Sequence, residues 1–397
     1  MDDSRRWRIL AILFAVRTAM AFQFQSVAVV APLLGRDLGL GFADVGLLIG
    51  LYLAPGIALA LPGGAIGQRF GDKRVVLAGL GLMIVGGLVM ALMPSWGAQV
   101  TGRLLSGVGG VLLNVLMSKM VTDWFGGREI ATAMAIFVNS WPAGIAIALV
   151  TLPPLAASFG TGTVFLTAVA LIAFGAALLA LTYSAPASAA ARLPGAMPTL
   201  TTSAAVILSG MIWGLYNLGF AMIFSFGPSL LTERGMQLTA AGSITSTVLW
   251  LALASVPLGG VLADRTKRPY AILVAGCLAS ALLLLLATRV EPLPAFIAIG
   301  IIVGLPAGAI MSLPARVLAA ETRAVGMGLY YTMFYFAVGV GPSVAGWIAA
   351  QAGTIGATFA FGAAVLAACP LLLWVFHLTA AAAMRDREES SAPRGLP

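Results

Sequence analysis

Apolar residues fall in twelve long runs, near 9–34, 44–66, 75–93, 97–121, 130–154, 161–183, 203–231, 240–262, 270–288, 294–316, 325–350 and 355–379. Short stretches rich in charge, proline and glycine separate them. Each run holds about 20 residues or more, the length a helix needs to cross roughly 30 Å of hydrocarbon. The pattern predicts an all-α membrane protein of twelve transmembrane helices.

Composition sharpens this. Hydrophobic residues make up 60% of the 397-residue chain and charged residues 9%, against about 25% charged in water-soluble domains. A soluble enzyme, a disordered chain and a disulfide scaffold are excluded, and both cysteines, Cys277 and Cys369, lie in apolar runs. The formal charge of +8 invites a polyanion partner, but its distribution says otherwise. With an even number of spans the termini share a side. Seventeen Lys and Arg fall in the termini and even-numbered connections, among them Arg5, Arg6, Arg8, Arg69, Lys73, Arg74, Lys119, Arg128, Arg192, Arg265 and Arg394, against three (Arg36, Arg234, Arg289) in the other loops. This asymmetry predicts a multi-pass protein of the cell (inner) membrane with both ends in the cytoplasm, and no nucleic-acid partner. Arg5 and Arg6 before the first run read as orienting charges rather than as an export signal.

The chain repeats itself. An offset of 196 aligns Pro32 with Pro228, Gly39 with Gly235, Gly46 with Gly242, Gly63 with Gly259, Gly64 with Gly260 and Arg69 with Arg265. Two six-helix pseudo-symmetric halves follow, 1–183 and 203–380, joined by an Ala/Ser/Pro-rich cytoplasmic linker at 184–202 and followed by a cytoplasmic tail at 381–397. Parallel repeats of this kind suit a carrier whose site lies between the halves at mid-membrane.

GAIGQRFGDKR (64–74) and GVLADRTKR (260–268) resemble the paired loop signatures of the major facilitator superfamily. Arg103 and Gly107 match its R-x-x-x-G pattern on helix 4, and Trp141-Pro142-Ala143-Gly144 is similar to its helix 5 pattern. The resemblance covers essentially the whole chain and extends to bacterial carriers for cyanate, nitrate, oxalate and monocarboxylates. It implies alternating access, with helices 1, 4, 7 and 10 lining a central cavity and a conformational network at Gln68, Arg69, Asp72, Asp264 and Arg265. Gln68 stands where the family usually has aspartate, so a latch in the first half has to use Asp72, Asp123 or Glu129.

Helices in lipid associate through small residues that let backbones approach. Gly46, Gly50, Ala54 and Ala58 on span 2, Gly242, Ser246 and Ala254 on span 8, Gly102, Ser106 and Gly110 on span 4, and Gly339, Gly341 and Gly346 on span 11 are therefore expected to be packing seams.

Two cations fall inside spans, Arg17 and Arg103, while no Asp or Glu does. An arginine at the bilayer centre costs about 2.5–3.5 kcal/mol even on lenient scales. Without an internal carboxylate, the pair points to an anion from outside, since a guanidinium fork matches carboxylate-like oxygens. Snorkelling of Arg17 and a structural role for Arg103 are the competing readings. Gln23, Gln25, Asn114, Asn139, Ser140, Trp141, Tyr216, Asn217, Tyr330, Tyr331 and Tyr335 are polar or aromatic residues within spans able to contact a small ligand. The best helix-break candidate of the second half is Tyr216-Asn217-Leu218-Gly219. His377 reads as passive. No metal cluster, nucleotide loop or nucleophile triad stands out, so no cofactor, metal site or enzymatic activity is expected.

The reading is a monomeric secondary transporter of a small organic or inorganic anion, with protons or a counter-anion as candidate coupling ions. Efflux of hydrophobic drugs is the alternative within transport, favoured by the many Met, Phe and Trp residues, which otherwise read as lipid-facing. A membrane receptor or scaffold on the same fold is the alternative outside it.

Overall fold

A computed structural model describes residues 3–125, 129–186, 197–319 and 321–391. Among the described residues, twelve helices are long and apolar enough to cross a membrane: α1 (Ser4–Leu38), α2 (Phe42–Leu59), α3 (Asp72–Leu92), α4 (Trp96–Phe125), α5 (Thr132–Phe159), α6 (Thr161–Thr182), α7 (Leu200–Glu233), α8 (Leu238–Thr266), α9 (Pro269–Ala287), α10 (Pro292–Arg316), α11 (Val325–Ala352) and α12 (Gly356–Arg385). A short helix, Gly63–Phe70, follows α2. No strand forms among the described residues.

The duplication in sequence is a duplication in space. The starts of α1, α2 and α4 at Ser4, Phe42 and Trp96 recur 196 residues on, at Leu200, Leu238 and Pro292. Gly39 and its counterpart Gly235 both take positive φ, 66° and 88°, to turn the chain after α1 and α7, a conformation that costs glycine nothing. Packing repeats too: α1 lies on α5 as α7 lies on α11, and α3 contacts α4 and α6 as α9 contacts α10 and α12. The halves meet along two related seams, α2 on α11 and α5 on α8, and more narrowly where α1 meets α7.

The small residues make the seams possible. A Cβ on Gly46 would overlap the carbonyl oxygen of Pro342, and one on Gly50 that of Gly339. Gly242, the counterpart of Gly46, sits equally close to the carbonyl of Leu149 on α5. Within the first half, Gly86 of α3 faces Gly102 and Ser106 of α4.

One expectation is corrected. The segment from Tyr216 to Gly219 does not break: α7 is continuous, the Asn217 side chain donates to the Trp213 carbonyl one turn back at 2.7 Å, and no proline interrupts the ladder there. The interruptions lie in α2, between Leu51 and Gly56, and in α10, between Val303 and Ala307. Pro55 and Pro306 sit at those points and lack the N–H that would continue the helix. At the chain's middle and end, α7 begins at Leu200, capped by the Thr199 hydroxyl, and helix continues beyond α12 to Ser391. The Ala-rich stretch after Leu378 is a strong helix former. The rest of the predicted linker, 187–196, and residues 392–397 lie outside the described residues, as do Arg128, Arg192 and Arg394.

Candidate functional site

Arg17 stands midway along α1. Its Nε donates to Asn114 Oδ1 of α4 at 3.1 Å. Nη1 donates to the carbonyls of Phe137 and Val138 on α5, both at 3.1 Å, and to the Ser140 hydroxyl at 3.4 Å. The guanidinium lies 4.8 Å from the ring centre of Phe137 and 5.9 Å from that of Trp141, distances at which a cation is held by the ring face. Asn114 uses its other end across the molecule, donating from Nδ2 to Tyr335 Oη on α11 at 2.9 Å. The amide orientation is forced, because a guanidinium only donates. Arg17, Asn114 and Tyr335 thus form a chain that crosses from one half to the other. The Tyr335 ring fills the space left by Gly56, where α2 is interrupted.

What this site lacks is a counter-charge. Among the described residues no carboxylate pairs with Arg17, and its Nη2 makes no hydrogen bond. The residue is half-buried. A positive charge at this depth, held by neutral acceptors with donors left over, is complementary to an anionic group.

Arg103 behaves differently. It is 1% exposed, and its fork is spent on three backbone carbonyls: Leu48 of α2 at 2.9 Å, Phe24 of α1 at 3.1 Å and Gln23 of α1 at 3.4 Å. The rings of Tyr52 and Phe24 cover it at 4.8 and 5.8 Å. Sealed from solvent and bonded to carbonyls of two other helices, Arg103 joins α1, α2 and α4 rather than presenting a free donor.

Several other predicted contacts are likewise structural. Gln23 is buried and donates to the Met83 carbonyl of α3 at 2.9 Å. Gln25 is fully buried and donates across the halves to the Phe224 carbonyl of α7 at 2.6 Å. Tyr216 donates at 2.6 Å to the carbonyl of Val303, the last helical residue before the break in α10. There Ala307 N–H turns to Gly304, so the tyrosine hydroxyl satisfies a carbonyl the interruption releases. Asn217 is occupied within its own helix. Asn139, Trp141 and Tyr331 are half-buried, and Asn139 and Tyr331 make no side-chain hydrogen bond among the described residues. Of the predicted set, the structure brings together Arg17, Asn114 and Trp141, with Tyr331 tied in through the Phe334 and Tyr335 rings.

Aromatic residues supply what sequence reasoning missed. Phe24, Phe137 and Phe224 are buried, not lipid-facing. Phe24 contacts Trp141 at 5.1 Å and Phe224 at 6.3 Å between ring centres. Trp213 of α7 stacks on Phe334 of α11 at 6.3 Å, and Phe334 meets the edges of Tyr331 and Tyr335. Spacing alone does not separate an inward ring from an outward one on a helix that is apolar all round.

The loop residues divide by half. Asp72 accepts from Lys119, which also pairs with Asp123 at 3.4 Å, and Arg6 pairs with Glu129 at 2.5 Å. Lys73 caps the end of α6 by donating to the Ala180 and Tyr183 carbonyls at 2.8 and 2.7 Å. These contacts all lie within the first half. Gln68 is exposed without a hydrogen bond, Arg69 lies over its neighbour Phe70 at 5.4 Å, and Asp264 and Arg265 are exposed. Among the described residues no ion pair joins the two halves.

Comparison with known proteins agrees with this architecture. Residues 13–209 and 202–397 each match the family described as Major Facilitator Superfamily. The 3-(3-hydroxy-phenyl)propionate transporter of Escherichia coli is 26% identical over 92% of this chain and 93% of its own length. The hexuronate transporter of Bacillus subtilis is 22% identical over 92% and 94%. A multidrug transporter of Aspergillus fumigatus is 29% identical, but the match spans 36% of this chain and 28% of the relative's length. The crystal structure of a bacterial homologue of the human lysosomal transporter Spinster, inward-facing and occupied, superposes with a TM-score of 0.71 at 16% identity, covering 97% of this chain and 98% of that one. It shares the fold.

Proposed function

Because the chain belongs to the major facilitator superfamily, and is therefore a membrane transporter and not an enzyme, we propose that its cargo is an organic anion whose negative group is received by Arg17. One observation carries this reading: a guanidinium in the middle of α1, linked through Asn114 to Tyr335 of the opposite half, with no carboxylate partner among the described residues and Nη2 unused. Two relatives that match over 92% of the chain are named for carboxylates, a propionate and a hexuronate. In a water-poor site a charge-assisted fork of this kind is strengthened.

The halves would rock about the α2–α11 and α5–α8 seams, where small residues keep the surfaces smooth. The Gln25–Phe224 contact would hold the end of α1 away from the termini against α7. The seventeen-to-three charge asymmetry supports cytoplasmic termini and the cell (inner) membrane. Without a carboxylate beside Arg17, coupling is assigned to anion exchange, uniport, or a proton that enters with the substrate as its acid. Efflux of hydrophobic drugs, the reading the multidrug relative favours, is disfavoured for cationic ones, which a fixed guanidinium repels.

The test is thermal unfolding of the purified full-length protein with sodium benzoate, lactate, glucuronate and nitrate, and separately with ethidium. A ligand that binds only the folded state raises Tm with concentration. A rise with at least one organic anion in the wild type, absent in Arg17→Ala, is expected. A rise with ethidium alone, or an anion effect that Arg17→Ala retains in full, overturns the reading.

A further inference from the structure

We propose that the cargo is an aromatic monocarboxylate: one negative charge for Arg17, and a ring for the aromatic cluster joined to it through Asn114 and Tyr335. This deepens, and rests on, the assignment of Arg17 as the anion's ligand. The charge count comes first. Of the two guanidiniums at mid-span, Arg103 is sealed to 1% exposure with every nitrogen on a carbonyl of Leu48, Phe24 or Gln23, so Arg17, half-buried and with Nη2 unbonded, alone remains accessible. A second carboxylate would enter a low-dielectric site with no cation to meet it, and a buried unpaired charge is expensive. The site is built for one.

The second observation is what surrounds that charge. Phe137 and Trp141 present their faces to the guanidinium from the first half, at 4.8 and 5.9 Å. From the second half come Tyr331 and Phe334, centres 6.4 Å apart, with Trp213 stacked behind Phe334 at 6.3 Å and 29° between planes. Trp141, Tyr331, Phe334 and Trp213 are only partly buried, each packed against the core with surface to spare. Phe334 lies 5.1 Å from Tyr335, whose hydroxyl meets Asn114 beside Arg17, and aromatic pairs gain beyond their buried area by offset or edge-on contact, so an arene carried by the anion would find rings to meet. A nitrate or an acetate would satisfy the guanidinium and leave that surface wet or empty. Tyr331 Oη, without a hydrogen bond among the described residues, is free to engage a polar substituent on such a ring.

The experiment is counterflow in proteoliposomes of the full-length protein with labelled 3-phenylpropionate, 3-cyclohexylpropionate, acetate, succinate and nitrate. Counterflow of 3-phenylpropionate is expected, with an apparent affinity about tenfold or more above acetate and a few-fold above the cyclohexyl analogue, and with succinate and nitrate inert. Phe334→Leu is expected to lower the affinity for 3-phenylpropionate about tenfold while leaving acetate within about twofold. If that variant does not fold, as read by its unfolding temperature, the cyclohexyl comparison decides alone. Equal handling of the phenyl and cyclohexyl acids overturns the aromatic assignment. Carriage of acetate, succinate or nitrate without 3-phenylpropionate overturns it too, and leaves Arg17 as an anion ligand. No counterflow and no thermal shift with any of the five overturns both readings.

Discussion

Arg17 and Arg103 are the same residue at comparable cost, on neighbouring helices of the same half, yet their surroundings give them opposite roles. Arg103 finds three carbonyls on α1 and α2 and two ring faces, and is sealed to 1% exposure. Arg17 also finds carbonyls, on α5, but keeps a terminal nitrogen unused, stays half-buried and reaches the other half through Asn114. The lesson is that an intramembrane charge is not by itself a ligand site. What distinguishes the two is whether a terminal nitrogen stays both unbonded and accessible.

The comparison breaks most decisively at Arg17. Arg17→Ala is expected to reduce transport of the organic anion thirty-fold or more, since losing one partner of a desolvated charge-assisted pair costs about 2–5 kcal/mol. Without ligand it should lose about as much stability as Arg103→Ala, since bonds to Asn114, Phe137, Val138 and Ser140 go with it, and Arg17→Lys should recover part of the activity, because charge persists while the fork is lost. If Arg17→Ala transports normally, the division between the two arginines fails.

Arg103→Ala should lose stability while sparing binding. Three hydrogen bonds at the intramembrane average of about 0.6 kcal/mol each amount to about 2 kcal/mol of stability, seen as a lower unfolding temperature in detergent. The fraction that remains folded should bind the anion within about threefold of wild type. A pronounced loss of binding at unchanged stability would move Arg103 into the site.

Smaller effects sharpen the link between site and seam. Tyr335→Phe removes the one hydrogen bond that carries Arg17's network into the second half, and about a threefold change in apparent affinity is expected. Stability should hold, because the ring still fills the space at Gly56. Gln25→Leu is expected to change least. It loses the bond to Phe224 but also removes Gln25 Oε1, a buried oxygen without a partner, so stability should move by less than about 1 kcal/mol, measured by chemical or thermal unfolding. A steep fall there would make the α1–α7 contact more than a local tie.

Much of the architecture was legible because it is written along one dimension. Apolar run lengths predict the twelve spans, and an offset of 196 predicts the repeat, because the bilayer's thickness and an internal duplication both act on consecutive residues. The presence of two unpartnered arginines was legible for the same reason. Tertiary structure alone decided which arginine is free, since Arg17 meets Asn114 across 97 residues and Arg103 meets Leu48 across 55. It also moved the helix interruptions from Gly219 to Pro55 and Pro306, and turned aromatics assigned to lipid into the lining between the halves. Those outcomes depend on which faces of uniformly apolar helices turn toward one another, and composition does not encode a direction around a helix whose every side is apolar.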